Sequence, residues 1–145
     1  MCVFIGDKMK VDIYKASRFL KALKNANNIR KGEFKQVIVV NTGLNMSNGK
    51  TAAQVAHASV LSMLEAKEAF VAAWLDNSYP KIVLKVDSGS DLLSLKSKCQ
   101  DAKIPCALVI DEGRTEISNG SITCLGIGPA TKERIDEVTG KLKLL

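Results

Sequence analysis

Gln36-Val37-Ile38-Val39-Val40-Asn41-Thr42-Gly43-Leu44-Asn45-Met46-Ser47-Asn48-Gly49-Lys50-Thr51-Ala52-Ala53-Gln54-Val55-Ala56-His57-Ala58 is the stretch that decides the fold. Gln36 to Val40 is β-branched, too short for a helix and apolar on both faces, which predicts a central strand. The Gly/Asn/Ser loop from Asn41 to Asn48 follows, and Ser47 or Asn48 is placed to cap a helix beginning near Gly49. On that helix Lys50, Gln54 and His57 share the i, i+4, i+7 spacing of one face. A core-facing stripe would be apolar there, so this face is expected to meet something polar.

Working outward, the helix is expected to continue, with a break, to about Asp76, because the residue before Pro80 is pushed out of the α region. Lys81 to Val86 reads as a second strand, and Ser88 or Ser90 as the cap of a helix reaching about Lys103. Ala107 to Ile110 is a third strand ending at Asp111, Ile122 to Ile127 a fourth, and Thr131 to Val138 a last helix stopped by Gly140. Helices between the first three strands imply βαβ crossovers. The expected fold is therefore a three-layer α/β/α sandwich with a mixed four-stranded sheet. On the fourth strand, period-two alternation points Thr123, Leu125 and Ile127 to one face, and Ile122 and Cys124 to the other.

A length of 145 residues, 46% hydrophobic, suits one compact domain. No apolar run approaches the roughly 18 residues that span a bilayer, and Met1-Cys2-Val3-Phe4-Ile5-Gly6 is followed by charge, so a cytoplasmic protein is expected. Cys2, Cys99, Cys106 and Cys124 form no CxxC pairs and read as ordinary thiols. Charge divides the chain near Gly32 to Lys35. Residues 1 to 36 carry nine Lys and Arg against Asp7, Asp12 and Glu33, while residues 37 to 145 carry twelve basic and twelve acidic residues. The +6 excess thus sits in a basic N-terminal extension, residues 1–36, ahead of an α/β domain, residues 37–145. Ile13, Ala16, Leu20 and Leu23 give the extension helical periodicity. An amphipathic helix docked on the body and an arm meeting a polyanion are both open, and compatible.

Gly49-Lys50-Thr51 after a strand and loop imitates a phosphate-binding P-loop, with Ala107 to Asp111 as its magnesium-binding strand. The spacing fails. The position where the first glycine belongs is Leu44, whose Cβ would obstruct a backbone nest around phosphate. Asp111 is placed better for another purpose: it closes a strand at the edge where open α/β sheets bind ligands, and Gly113 permits a turn returning Thr115 toward it.

Several separated motifs then occur in order: Met46-Ser47-x-Gly49-Lys50-x-Ala52-Ala53-Gln54-x-Ala56-His57-Ala58, Asp111-x-Gly113-Arg114-Thr115-x-Ile117, Gly120-Ser121-x-Thr123, and a close of Ile127-Gly128-Pro129, Ile135-Asp136-x-Val138-Thr139-Gly140 and Leu142-x-Leu144-Leu145. From about Val37 to the C-terminus the chain resembles the archaeal and eukaryotic type of peptidyl-tRNA hydrolase, the Pth2 family. The resemblance implies an enzyme that cleaves the ester joining a peptide to the terminal ribose of tRNA, built on a mixed four-stranded sheet between helical layers. It also implies a homodimer and neither metal nor organic cofactor. The family's active-site residues carry over onto Lys50, Gln54, His57, Asp111, Thr115 and Thr123.

Ester hydrolysis needs a positioned water, an acceptor for its proton, a donor or cation for the oxyanion and a proton for the leaving oxygen. Lys50 in the first turn of the helix suits an oxyanion or a tRNA phosphate. Asp111 suits orientation of Lys50 or of water, and Thr115 and Thr123 complete a hydrogen-bonded cluster. His57, the only histidine, suits either a general base or a structural hydrogen bond. The expected catalytic set is Lys50, Asp111, His57, Thr115 and Thr123, with Gln54, Gly49, Arg114 and Asn48 binding substrate. Trp74 reads as a core or interface residue, with stacking of Trp74 and Tyr79 on a terminal base as the alternative.

The chain departs from the family pattern at the rim. Arg-x-Asp-Leu-Lys-Met becomes Asn41-Thr42-Gly43-Leu44-Asn45-Met46, and Asp-Ala-Gly-Arg-Thr-Gln becomes Asp111-Glu112-Gly113-Arg114-Thr115-Glu116. Two positive charges and a carboxylate are lost and two acids gained, which weakens local attraction for phosphate. A non-catalytic RNA- or protein-binding relative of the same fold, and a nucleotide binder, are the alternative readings.

Overall fold

The computed structural model describes residues 32–112 and 117–145, together with Ser17 and Leu20. The remainder of the basic extension, with its expected helix, lies outside the described residues. Strand β1 (Phe34–Asn41) leads through a 3-10 turn (Thr42–Leu44) to helices α1 (Asn48–Glu65) and α2 (Glu68–Asp76). Strand β2 (Lys81–Val86), helix α3 (Gly89–Asp101), strands β3 (Cys106–Ile110) and β4 (Ile122–Thr131), helix α4 (Lys132–Thr139) and strand β5 (Lys143–Leu144) follow.

The sheet has five strands in the order β3-β4-β1-β2-β5, not the four expected. β5 is only two residues long, too short to display the alternation by which a strand is recognised, and antiparallel pairing to Leu84 and Lys85 creates it. β1 and β2 are parallel, and β4 runs antiparallel to both β1 and β3. β1, β2 and β3 therefore point the same way, as the crossovers require. Their carboxyl ends form one edge, where the loops gather.

Alternation in β1 separates two cores. Val37 and Val39 join Val71 and Trp74 of α2, Leu92 and Leu95 of α3 and Ile135 of α4 on one face. Ile38 and Val40 join Ala107, Val109 and Cys124 beneath Ala58 and Leu61 of α1 on the other. This is the expected three-layer sandwich. The break in the long helix falls at Ala66 and Lys67, both with extended backbone. β1 begins at Phe34, ahead of its expected start, and β4 runs on to Thr131. Trp74 is core: it is buried, and its indole N–H donates to the Pro80 carbonyl at 3.0 Å. Tyr79 is exposed, with the Lys81 ammonium over both rings. Among the described residues no helix is long and apolar enough to cross a membrane.

Candidate active site

The site lies where the first turn of α1 meets the carboxyl end of β3. Ser47 caps α1, its hydroxyl accepting from the Lys50 N–H at 3.2 Å, which fixes the entry of the helix. The Lys50 ammonium then donates to Oδ1 of Asp111, the residue just past β3. Both side chains are about nine-tenths buried, at 11% and 9% exposure, so the pair is held largely out of water. One turn further, Gln54 is buried and its Nε2 donates to the same Asp111 oxygen at 3.5 Å. The Thr123 hydroxyl, fully buried, lies 2.8 Å from Gln54 Oε1 and 3.1 Å from the Val109 carbonyl.

The order of these contacts follows from what each group can do. A carboxylate only accepts, so the Gln54 NH2 must face Asp111, which leaves its carbonyl oxygen toward Thr123. The hydroxyl has one proton and two acceptors in reach, Gln54 and Val109. A chain from Thr123 through Gln54 to Asp111 and Lys50 results, spanning β4, α1 and the end of β3.

Thr123 reaches this chain because of an irregularity in β4. Val109 pairs with Cys124 and Ile110 with Ile122, so Thr123 is the surplus residue of a β-bulge. The expected alternation is corrected here. Ile122, Leu125 and Ile127 share the face covered by α2, α3 and α4, while Thr123 turns to α1 on the same side as Cys124.

The remaining expected residues divide. His57 is exposed and takes no part in the chain from Thr123 to Lys50. The buried side of α1 runs through Gln54, Ala58, Leu61 and Ser62, and His57 lies about 60° around the helix from Gln54, toward solvent. Lys50 sits near the same margin but is long enough to reach in. Asn48 and Gly49 are exposed in the first turn, with open space around Gly49. Arg114 and Thr115 lie outside the described residues, as does Glu116; Glu112 is exposed. The 3-10 turn at Thr42–Leu44 stands where a P-loop would need its glycine nest, and Asp111 is engaged by Lys50.

Two supporting residues escaped the sequence reading. Gln36 is completely buried: its Nε2 donates to the Ser59 carbonyl at 2.8 Å and lies 2.9 Å from the Ser62 hydroxyl, while its Oε1 accepts from the Ser59 hydroxyl at 2.7 Å. This clamp fixes α1 along and about its axis, and with it Lys50 and Gln54. A glutamine opening an otherwise apolar strand was its signal. Asn41, read only as a lost charge, is buried as well.

Comparison with known proteins places the same span in one family. Residues 34–145 match the family described as "Peptidyl-tRNA hydrolase PTH2". A peptidyl-tRNA hydrolase of Methanopyrus kandleri is 50% identical over 114 residues, covering 77% of this chain and 98% of the relative. One from Metallosphaera sedula is 43% identical over 116 residues, covering 77% and 99%. One from Thermococcus onnurineus is 43% identical over 115 residues, covering 77% and 98%. With the matched span running from the first residue of β1 to the C-terminus, the chain belongs to the PTH2 family of peptidyl-tRNA hydrolases.

Proposed function

We infer that this chain hydrolyses the ester between a peptidyl group and tRNA, releasing free tRNA and peptide. The observation that carries the reading is the Lys50–Asp111 pair, a cation at a helix entrance held against a carboxylate at a sheet margin, in a chain of this family. The ammonium has three donors, and the pair with Asp111 occupies one, which leaves donors for the oxyanion that forms when water attacks the ester carbonyl. Asp111 takes the proton of the attacking water. The bond from carbonyl carbon to ribose oxygen breaks, and that oxygen leaves with a proton passed from Lys50 or solvent. Gln54 and Thr123 hold Asp111 in place, while Asn48 and Gly49 present the unsatisfied first-turn N–H groups to the tRNA end. Arg114 and Thr115 belong to the same proposed site, and His57, at the exposed margin, is proposed to meet substrate directly.

The substrate's setting in translation supports a cytoplasmic location. Assembly as a homodimer is proposed from the resemblance alone, and light scattering of the purified chain tests it. The basic extension is proposed as a further contact with the tRNA polyanion: removing residues 1–31 raises KM for peptidyl-tRNA and flattens its dependence on salt. An unchanged salt slope would rule that out.

The decisive experiment incubates the purified protein with labelled N-acetyl-aminoacyl-tRNA, with and without a chelator, and follows free tRNA. Lys50→Ala and Asp111→Ala should each reduce kcat/KM by about a hundredfold or more, the scale of losing a group that contacts the transition state. Turnover within about twofold of wild type in both variants, under ~0.5 kcal/mol, would show that the assignment is wrong.

A further inference from the structure

We propose that Asn41 is a positioning residue for the hydrolytic site, acting from the opposite face of the sheet by holding the β4 bulge that aims Thr123. Asn41 ends β1 and is almost wholly buried, at 5% exposure. Its Nδ2 donates to the Ile122 carbonyl at 3.0 Å, and its Oδ1 accepts from the Gly43 N–H at 3.1 Å. The β1–β4 register pairs Val39 with Leu125 and Val40 with Cys124 and ends there, so Asn41 lies just past the ladder, beside the bulge at Thr123. Asn41 shares its side of β1 with Val37 and Val39, facing α3, and Nδ2 lies 3.8 Å from where a Cβ on Gly89 would stand. Thr123 projects to the other side, toward α1.

One amide therefore grips the peptide unit joining Ile122 to Thr123 from behind while the Thr123 hydroxyl works in front. A bulge leaves a residue without regular ladder bonds, and something must decide where the surplus falls. Here the Ile122 carbonyl is taken by Asn41. With that bond in place Thr123 is the surplus residue; without it the bulge is free to move along β4 and carry the hydroxyl away from Gln54.

The neighbouring turn is built for this arrangement. A Cβ at Gly43 would stand 2.2 Å from the Asp87 carbonyl oxygen and 3.2 Å from Asn41 Oδ1. Any larger residue at 43 would force the turn away from Asp87 and remove the N–H that orients the Asn41 amide. The change from Arg-x-Asp to Asn41-Thr42-Gly43 thus reads as one unit: a neutral amide clasp with the glycine it requires. The loss of rim charge accompanies it.

The test combines kinetics with a direct view of the site. The kinetic arm rests on the hydrolase reading; the spectroscopic arm does not. Asn41→Asp keeps the acceptor for Gly43 and loses the donor to Ile122, and Asn41→Ala loses both. If Ala prevents folding, Asp carries the test. Each should shift the Gln54 side-chain amide and Thr123 backbone amide resonances, and lower kcat about tenfold or more with KM for peptidyl-tRNA within about twofold, as displacement of a site by a fraction of an ångström does. In a Thr123→Val background the same substitutions should cost less than about threefold, since the group they position is already gone. Unmoved Gln54 and Thr123 resonances in a folded variant overturn the proposal whatever the activity, as does full additivity with Thr123→Val. Resonances that move while kcat stays constant overturn Asn41 as a positioning residue for hydrolysis, whereas the hydrolytic assignment itself stands or falls with Lys50→Ala and Asp111→Ala.

Discussion

Gly126 of β4 lies so close to α1 that a Cβ there would stand 2.2 Å from the Ala58 carbonyl oxygen and 2.7 Å from the Ser62 hydroxyl. The helix that carries Lys50 and Gln54 rests on bare backbone at this point. With the Gln36 clamp beside it, the contact sets the height of the site's helix above the sheet.

Gly126→Ala should accordingly destabilise the fold by about 3 kcal/mol, at the upper end of overpacking costs, because the near atoms belong to helix backbone and cannot step aside. Gly49→Ala, in open space in the first turn of the same helix, should be neutral or stabilising by up to about 1 kcal/mol. Urea denaturation of the two variants checks the contrast, and equal effects would contradict it.

Breaking the Lys50–Asp111 pair from one side strands a charge in a place with little water. Lys50→Met or Asp111→Leu alone should each cost about 3 kcal/mol, whereas the double substitution should recover most of that loss, as apolar replacements of buried pairs do. Activity should stay absent in all three. Denaturant midpoints and turnover measured on the same samples separate the two roles of the pair.

Thr123→Val removes the donor to Gln54 Oε1 and leaves a buried amide oxygen unmatched. A loss of about tenfold in kcat is expected, with Thr123→Ser restoring most of it because the hydroxyl alone is required. If Val and Ser behave alike, the hydroxyl has no part in ordering the chain to Asp111.

Burial pushes the Cys124 thiol up to about 12. Above the ordinary thiol range the unfolded chain gives up a proton that the native state keeps. The unfolded state then binds fewer protons, so this contribution is complete below pH 9 and is lost as pH rises toward 12. The stability difference between wild type and Cys124→Ala should therefore shrink across that window. In a Cys2→Ser background Cys106, lowered by its hydrogen bond from Cys99, should react with iodoacetamide ahead of Cys99 and Cys124, and the order of alkylation by mass spectrometry checks it.

What was legible in the sequence is what a period can express. The strand Lys81–Val86 is legible to the residue, and the caps are legible to within a pair, Ser47 or Asn48 and Ser88 or Ser90, with Ser47 and Ser88 doing the capping, because alternation and capping chemistry are local. That Lys50, Gln54, Asp111 and Thr123 share one site is implied by the resemblance to the family, and the hydrogen bonds among them join them. What spacing does not carry has one physical origin: it depends on partners distant in the chain. Strict alternation gives Thr123 the wrong face because a bulge adds one residue to a period of two. Lys50, Gln54 and His57 share one face of the helical wheel, but packing decides which turn inward, and His57 stays exposed. Asn41 counted as a missing charge because a side chain's reach to a carbonyl 81 residues away leaves no trace in spacing. β5 leaves no trace in the sequence for the same reason, being defined by β2 and not by its own two residues.

β5 also gives the chain's last residues a protective duty. Lys143 and Leu144 lie along the outer margin of β2, and the Leu145 N–H donates to the Val83 carbonyl at 3.1 Å. The unpaired backbone of β2, which would otherwise offer a template for another molecule's strand, is thereby shielded by a strap too short to recruit partners of its own and bearing a lysine. Removing that pairing would leave the Lys50–Asp111 pair in place and turn a sealed flank into an adhesive one.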